Sequence, residues 1–200
     1  IGTLGFLGFF ILLFLSLSIH FFFPINSYIS VSILLIGIIL FSINLNVIRR
    51  NFTNIYSVLL VLLYPVSLIF FPNEDFDYYY LPYLTYLESS KIVFGLVNLY
   101  DALVSTQNSL YDIYVFFRIP TLVENGFSIV GVSFYFFFLC FIVHKILSCT
   151  KKEKLFLFVV FILSIVTFNK LRNIGVAVPA QFLMIICVLI SFLLINPQTK

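Results

Sequence analysis

Long uninterrupted apolar runs constrain this chain more than any other feature. A helix needs ~20 mostly apolar residues to cross about 30 Å of hydrocarbon. Six stretches reach or approach that length: residues 4–23, 28–43, 55–71, 127–147, 155–168 and 174–195. Composition agrees, since 62% of the 200 side chains are hydrophobic and only 10% are charged, against about 25% charged in ordinary soluble domains. Too little polar surface remains to coat a water-soluble core, and disordered, collagen-like and disulfide-scaffold classes are excluded with it. The expected fold is an all-α, polytopic membrane bundle of about six transmembrane helices. The first run lacks a basic leader and a small-residue cleavage site, so it reads as a retained span. A start at Ile1 rather than Met points to a piece of a longer protein.

The three cysteines, Cys140, Cys149 and Cys187, are odd in number and widely spaced, which argues against a disulfide framework or a zinc site. There is no Gly-rich phosphate loop, nucleophile elbow or paired-histidine metal motif. A net charge of +3 is too small and too scattered for nucleic acid.

Basic residues stay on the cytoplasmic side of a membrane. Arg49 and Arg50 fall between the second and third runs, and Lys145, Lys151, Lys152 and Lys154 between the fourth and fifth. Alternating spans place both groups, with Lys200, on one face, assigned to the cytoplasm. Lys91, Arg118, Lys170 and Arg172 then lie outside, with seven of the eight acids. The chain divides into 1–71 (three spans), 72–126 (an outer acidic, tyrosine-rich loop) and 127–200 (three spans). That loop is long for a plain connector. Ile92, Leu96, Leu99 and Leu103 recur at helical spacing, as do Leu110, Ile113, Tyr114 and Phe117. Both read as short amphipathic helices at the outer interface, the alternative being a region that packs on the span bundle as a structural cap.

Two clusters carry candidate chemistry. Asp75-Phe76-Asp77-Tyr78-Tyr79-Tyr80 sets carboxylates beside tyrosines. Carboxylates accept hydrogen bonds from sugar hydroxyls and can act as general bases. A tyrosine such as Tyr80 offers a flat face for stacking, although interfacial belts use the same residue. The second cluster is the short connector Asn169-Lys170-Leu171-Arg172-Asn173. Two outer cations there suit a diphosphate, Arg binding it bidentately and Lys as a point charge, and Arg118 belongs to the same set. The bland alternative is snorkelling onto anionic lipid head groups. His20, near the outer end of the first span, offers a base or a pH-sensitive group, though a lone histidine there is more often packed.

The order of motifs resembles the EpsG-like, Wzy-type polysaccharide polymerases. The Asp/Tyr segment Asp75–Tyr80 precedes a loop. Glu124-Asn125-Gly126-Phe127 then leads into Gly131-Val132-Ser133-Phe134, and Arg172-Asn173-Ile174-Gly175-Val176-Ala177 opens the last span. The resemblance covers about residues 72–195. It implies a multi-pass enzyme of the bacterial cytoplasmic membrane that joins polyprenyl-diphosphate-linked oligosaccharide units into capsule or exopolysaccharide, without a cofactor. It assigns catalysis to Arg172, Asp77 and Asp75, and substrate binding to Lys170, Arg118, Tyr80 and Glu124. The expected partners are the lipid-linked substrate, the bilayer and other polysaccharide-assembly proteins. Two rival readings are a flippase for lipid-linked sugars and a glycosyltransferase using polyprenyl-phosphate sugars. Transporters carry polar groups deep in their spans, whereas the mid-span residues here are almost entirely Phe, Leu, Ile and Val, with isolated Ser and no acid.

Overall fold

The computed structural model describes residues 1–52, 54–69, 71–72, 74–95, 110–118, 127–148, 151–166, 168, 171 and 177–195. Among the described residues the regular structure is entirely helical. In chain order the helices are α1 (Gly2–Phe22), α2 (Ser27–Ile43), α3 (Leu45–Asn51), α4 (Asn54–Ser67), a π-helical turn (Phe76–Tyr80), α5 (Leu81–Ser89), α6 (Leu110–Phe117), α7 (Phe127–Ser148), α8 (Lys151–Val166) and α9 (Ala177–Ile195).

Local chemistry sets several of these boundaries. Pro24 disfavours helix at the residue before it, and Phe23 is extended at φ −137°, ψ 145°, so α1 stops there. Asn26 caps α2, its side-chain oxygen accepting from the Ile29 N–H at 3.1 Å. Pro82 sits in the first turn of α5, where its missing N–H costs nothing. Pro65 lies inside α4 and removes a hydrogen bond from its last turn. The helix therefore ends at Ser67, short of the apolar run that continues to residue 71.

α7 is the central strut and touches α1, α4, α6, α8 and α9. It runs antiparallel to α1, and Phe9 stacks on Phe134 with centroids 4.1 Å apart. Where the two backbones come closest, a Cβ on Gly2 would lie 2.6 Å from the Phe137 carbonyl oxygen, so only glycine fits. Phe138 meets Phe182 of α9 at 4.8 Å, and Tyr135 Oη lies 3.3 Å from Ser164 Oγ of α8. At the head of α7 the Ser128 hydroxyl donates to the Ser67 carbonyl at 2.7 Å, tying it to the end of α4.

Among the described residues, two helices, Gly2–Phe22 and Ser128–Ser148, are long and apolar enough to cross a membrane. Ser27–Ile43, Asn54–Ser67 and Pro179–Ser191 are shorter apolar segments. At 1.5 Å per residue, α4 is only about 21 Å long. The outward faces are nonetheless apolar. Phe14 on α1, Ile39 on α2, Val61 on α4 and Leu163 on α8 are all exposed, and α2 buries only Ser30.

In the long loop, α6 forms over the residues whose spacing predicts it, and it packs within the bundle as a structural cap would. Leu110 to Phe116 are all buried, and the helix is wedged among α1, α2, α5 and α7. Apart from Asp112 its sequence is apolar or aromatic, so there is no continuous polar face to leave in water. The other expected helix, starting at Ile92, is not helical over residues 90–95, and Leu96, Leu99 and Leu103 lie outside the described residues.

Candidate functional site at one end of the bundle

The C-terminus of α1, the N-termini of α2 and α7, the end of α4, the π turn, α5 and α6 gather at one end. Backbone bonds stitch them together. The Ile25 N–H donates to the Leu87 carbonyl at 3.0 Å, and the Ile92 N–H to the His20 carbonyl at 3.1 Å. The opposite end carries Arg49 and Arg50 on α3, Lys145 at the close of α7 and Lys154 at the start of α8.

A layer of tyrosines floors the first end. Tyr80 stacks on Tyr111 at 5.6 Å, and Tyr83 meets Tyr111 edge-on at 5.7 Å. Tyr114 lies 5.8 Å from Tyr111 and Tyr86 lies 6.4 Å from Tyr83. Burial pushes the Tyr83 and Tyr111 phenols well above their ordinary range, so both stay neutral donors. On the solvent side of this layer Glu74, Asp75, Asp77, Tyr78 and Tyr79 are exposed, Tyr78 at 73%. Asp75 and Asp77 flank Phe76, which is buried and anchors the turn.

Arg118 ends α6 and is engaged within the chain. Its guanidinium donates to Glu88 Oε1 of α5 at 3.1 Å, both side chains about one quarter exposed. Burial raises the Glu88 carboxyl above the usual carboxylate range, and Arg118 pulls it partly back.

The buried polar centre is a pair that spacing alone does not reveal. His20 of α1 and Asp112 of α6 are each 2% exposed, with Nδ1 3.4 Å from Oδ1. His20 Nε2 lies 2.9 Å from the Ser90 carbonyl oxygen. Both ring nitrogens are therefore occupied, and His20 is not poised as a free base toward solvent. Burial raises the Asp112 carboxyl, with His20 acting in the other direction. The available signal was Asp112 itself, an acid inside Leu110-Tyr111-Asp112-Ile113-Tyr114-Val115-Phe116-Phe117, where no polar face exists to hold it.

The candidate residues thus divide. Asp75, Asp77 and Tyr80 share one edge of this end, and Arg118 is tied to α5 there. Lys170, Arg172 and Glu124 lie outside the described residues. Leu171, which separates Lys170 from Arg172, is described and fully buried. Its carbonyl oxygen lies 3.0 Å from where a Cβ on Gly131 would sit, near the head of α7. An apolar groove of about 310 Å³ opens nearby, lined by Leu12 of α1, Ser30, Gly37 and Phe41 of α2, and Phe116 and Phe117 of α6. A second hollow of about 390 Å³ shares Leu12 and Phe117 with it. Among the described residues, no group of three His, Cys, Asp or Glu side chains is placed to hold a metal ion.

No protein-family model, no curated protein and no solved structure matches the chain.

Proposed function

We propose that this chain is part of a multi-pass enzyme of the bacterial cytoplasmic membrane that polymerises polyprenyl-diphosphate-linked sugar units into a surface polysaccharide. One observation carries the reading. The exposed Asp75–Asp77 turn lies on a tyrosine layer, and Leu171, between Lys170 and Arg172, is buried at the same end. Acceptor-binding acids and leaving-group cations would then share one face, while the helix flanks stay apolar for lipid.

In this scheme an acceptor hydroxyl attacks the anomeric carbon of the donor sugar. The new carbon–oxygen bond forms as the bond to diphosphate breaks, and the electron pair leaves with the diphosphate. Arg172, with Lys170, stabilises that growing charge, as preorganised cations do. Asp77 or Asp75 orients the hydroxyl and takes its proton, while Tyr80 and the neighbouring rings hold the sugar by stacking. The groove between α1, α2 and α6 accommodates the isoprenoid tail. Arg118 joins this site only by exchanging Glu88 for phosphate.

One feature favours the transporter reading instead: an ionisable pair, His20 and Asp112, buried among the helices, as in proton relays. The two readings separate by experiment. Arg172→Ala is expected to lower chain elongation by about a hundredfold or more while membrane insertion is retained. Unchanged polymer length in an inserted variant would sink the polymerase reading. Transfer of fluorescent lipid-linked sugar across vesicles containing the full protein would replace it with the transporter.

A further inference from the structure

Donor and acceptor counting around His20 leads further. The Ser90 carbonyl can only accept, so His20 Nε2, 2.9 Å away, carries a hydrogen. A neutral imidazole has one ring hydrogen, which leaves Nδ1 as a bare lone pair. Asp112 Oδ1 faces that lone pair at 3.4 Å, with both side chains almost completely buried. A carboxylate and a lone pair would repel each other there, out of reach of water. The contact is favourable only with one more proton, held as imidazolium–carboxylate or as neutral imidazole–carboxylic acid.

We infer that His20 and Asp112 share a single proton, and that this proton latches α6 into the bundle. α6 is well suited to such a latch. It has eight residues and makes no ladder with a neighbour, and its polar ties include Asp112 to His20 and the Arg118–Glu88 pair that follows it. His20 in turn fastens two elements. Its ring holds Asp112 and the Ser90 carbonyl, and its own carbonyl accepts from Ile92. The latch therefore joins α1, the 90–95 segment and α6.

Other titratable groups do not substitute for this proton. Tyr83 of α5 faces Asp112 and stays protonated through burial, and Tyr86 lies behind it. Tyr111 and Tyr114 flank Asp112 on α6. Glu88 is engaged with Arg118, and Lys91 is exposed. Tyr28 of α2 is exposed at its outer start. The titratable groups of α7, Tyr135, Cys140, His144 and Lys145, begin beyond its second turn.

The sign of the pH dependence follows. The closed pair binds a proton that an open, hydrated pair gives up near neutrality, because free Asp and His titrate at about 3.9 and 6.5. Closure is thus favoured at lower pH and lost as pH rises through the pair's own upper midpoint. Opening of α6 should increase by up to about tenfold per pH unit between the open pair's midpoint and the closed pair's upper midpoint, and level off above it.

The test is hydrogen exchange of the α6 amides in the full chain, reconstituted in lipid nanodiscs. Protection is expressed relative to intrinsic exchange at each pH. Wild type should lose protection as pH rises. Asp112→Asn supplies an N–H donor to the Nδ1 lone pair with no titratable proton, so it should keep α6 protected and flatten the profile. Nitrogen chemical shifts of His20 provide a second readout, independent of folding. A protonated Nε2 is expected, with the Nδ1 shift changing over the same pH range as α6 protection. An Asp112→Asn profile as steep as wild type, or an unprotonated Nε2 in wild type, would overturn the latch. The outcome is independent of which substrate the enzyme uses.

Discussion

At the residue scale, polarity and environment are matched with few exceptions, and those exceptions carry the interest. Asp112 is buried beside His20, while Asp75 and Asp77, in a similar aromatic setting, are exposed. The difference is the partner. An ionised carboxylate taken out of water costs several kcal/mol unless a cation or donor meets it, and Asp112 has His20 at 3.4 Å. Tyr111 is the hub of the tyrosine layer, touching Tyr80, Tyr83 and Tyr114. Tyr111→Ala should therefore cost about 3–5 kcal/mol, in the range of large-aromatic truncations, measured by reversible unfolding in detergent. Tyr78→Ala, at an exposed position, should cost less than about 0.5 kcal/mol by the same measurement. Equal losses would mean that the stack contributes nothing to stability.

At the element scale, helices here are defined by what they lean on. α7 is apolar around its whole circumference and packs against five others. α2 is as apolar but buries a single residue, and its outward face is left for the surroundings. The close approaches depend on glycine. Gly131 admits the Leu171 carbonyl at 3.0 Å from its missing Cβ, which seats Leu171 near the head of α7. Gly131→Leu is expected to push Leu171 away, cutting polymerisation at least tenfold and slowing it more than Arg118→Ala does. Crosslinking between the head of α7 and residue 171 would report the displacement directly. Full activity with the larger side chain would remove the connector from the proposed site. Motif order placed Gly131 in the chain. Its reason, a carbonyl arriving from 40 residues later, belongs to packing.

At the scale of the whole molecule, the two ends differ chemically. Carboxylates, tyrosines and the latch lie at one, and Arg49, Arg50, Lys145 and Lys154 at the other. Basic residues held on one side of a membrane follow the rule for cytoplasmic loops. The proposed orientation can be checked with membrane-impermeant maleimide, scored against the background of native cysteines such as exposed Cys187. Lys91→Cys should label in intact cells, and Arg50→Cys only after permeabilisation. Labelling of both from one side would refute opposite sidedness for the two ends.

Apolar runs and turn residues were enough to place the long helices, because a helix's existence depends on local spacing and its ends on nearby Pro and Asn. Pro24, Asn26 and Pro65 explain where α1 stops, α2 starts and α4 falls short. The candidate acids and tyrosines were legible for a similar reason, since Asp75 to Tyr80 are contiguous. The tertiary structure alone decided what meets across long separations. His20 and Asp112 lie 92 residues apart, Glu88 and Arg118 30, and Gly131 and Leu171 40. No local pattern encodes those distances. α6 is the clearest case: its period was visible, yet whether it lay at a surface or inside depended on a cavity that only α1, α2, α5 and α7 together create.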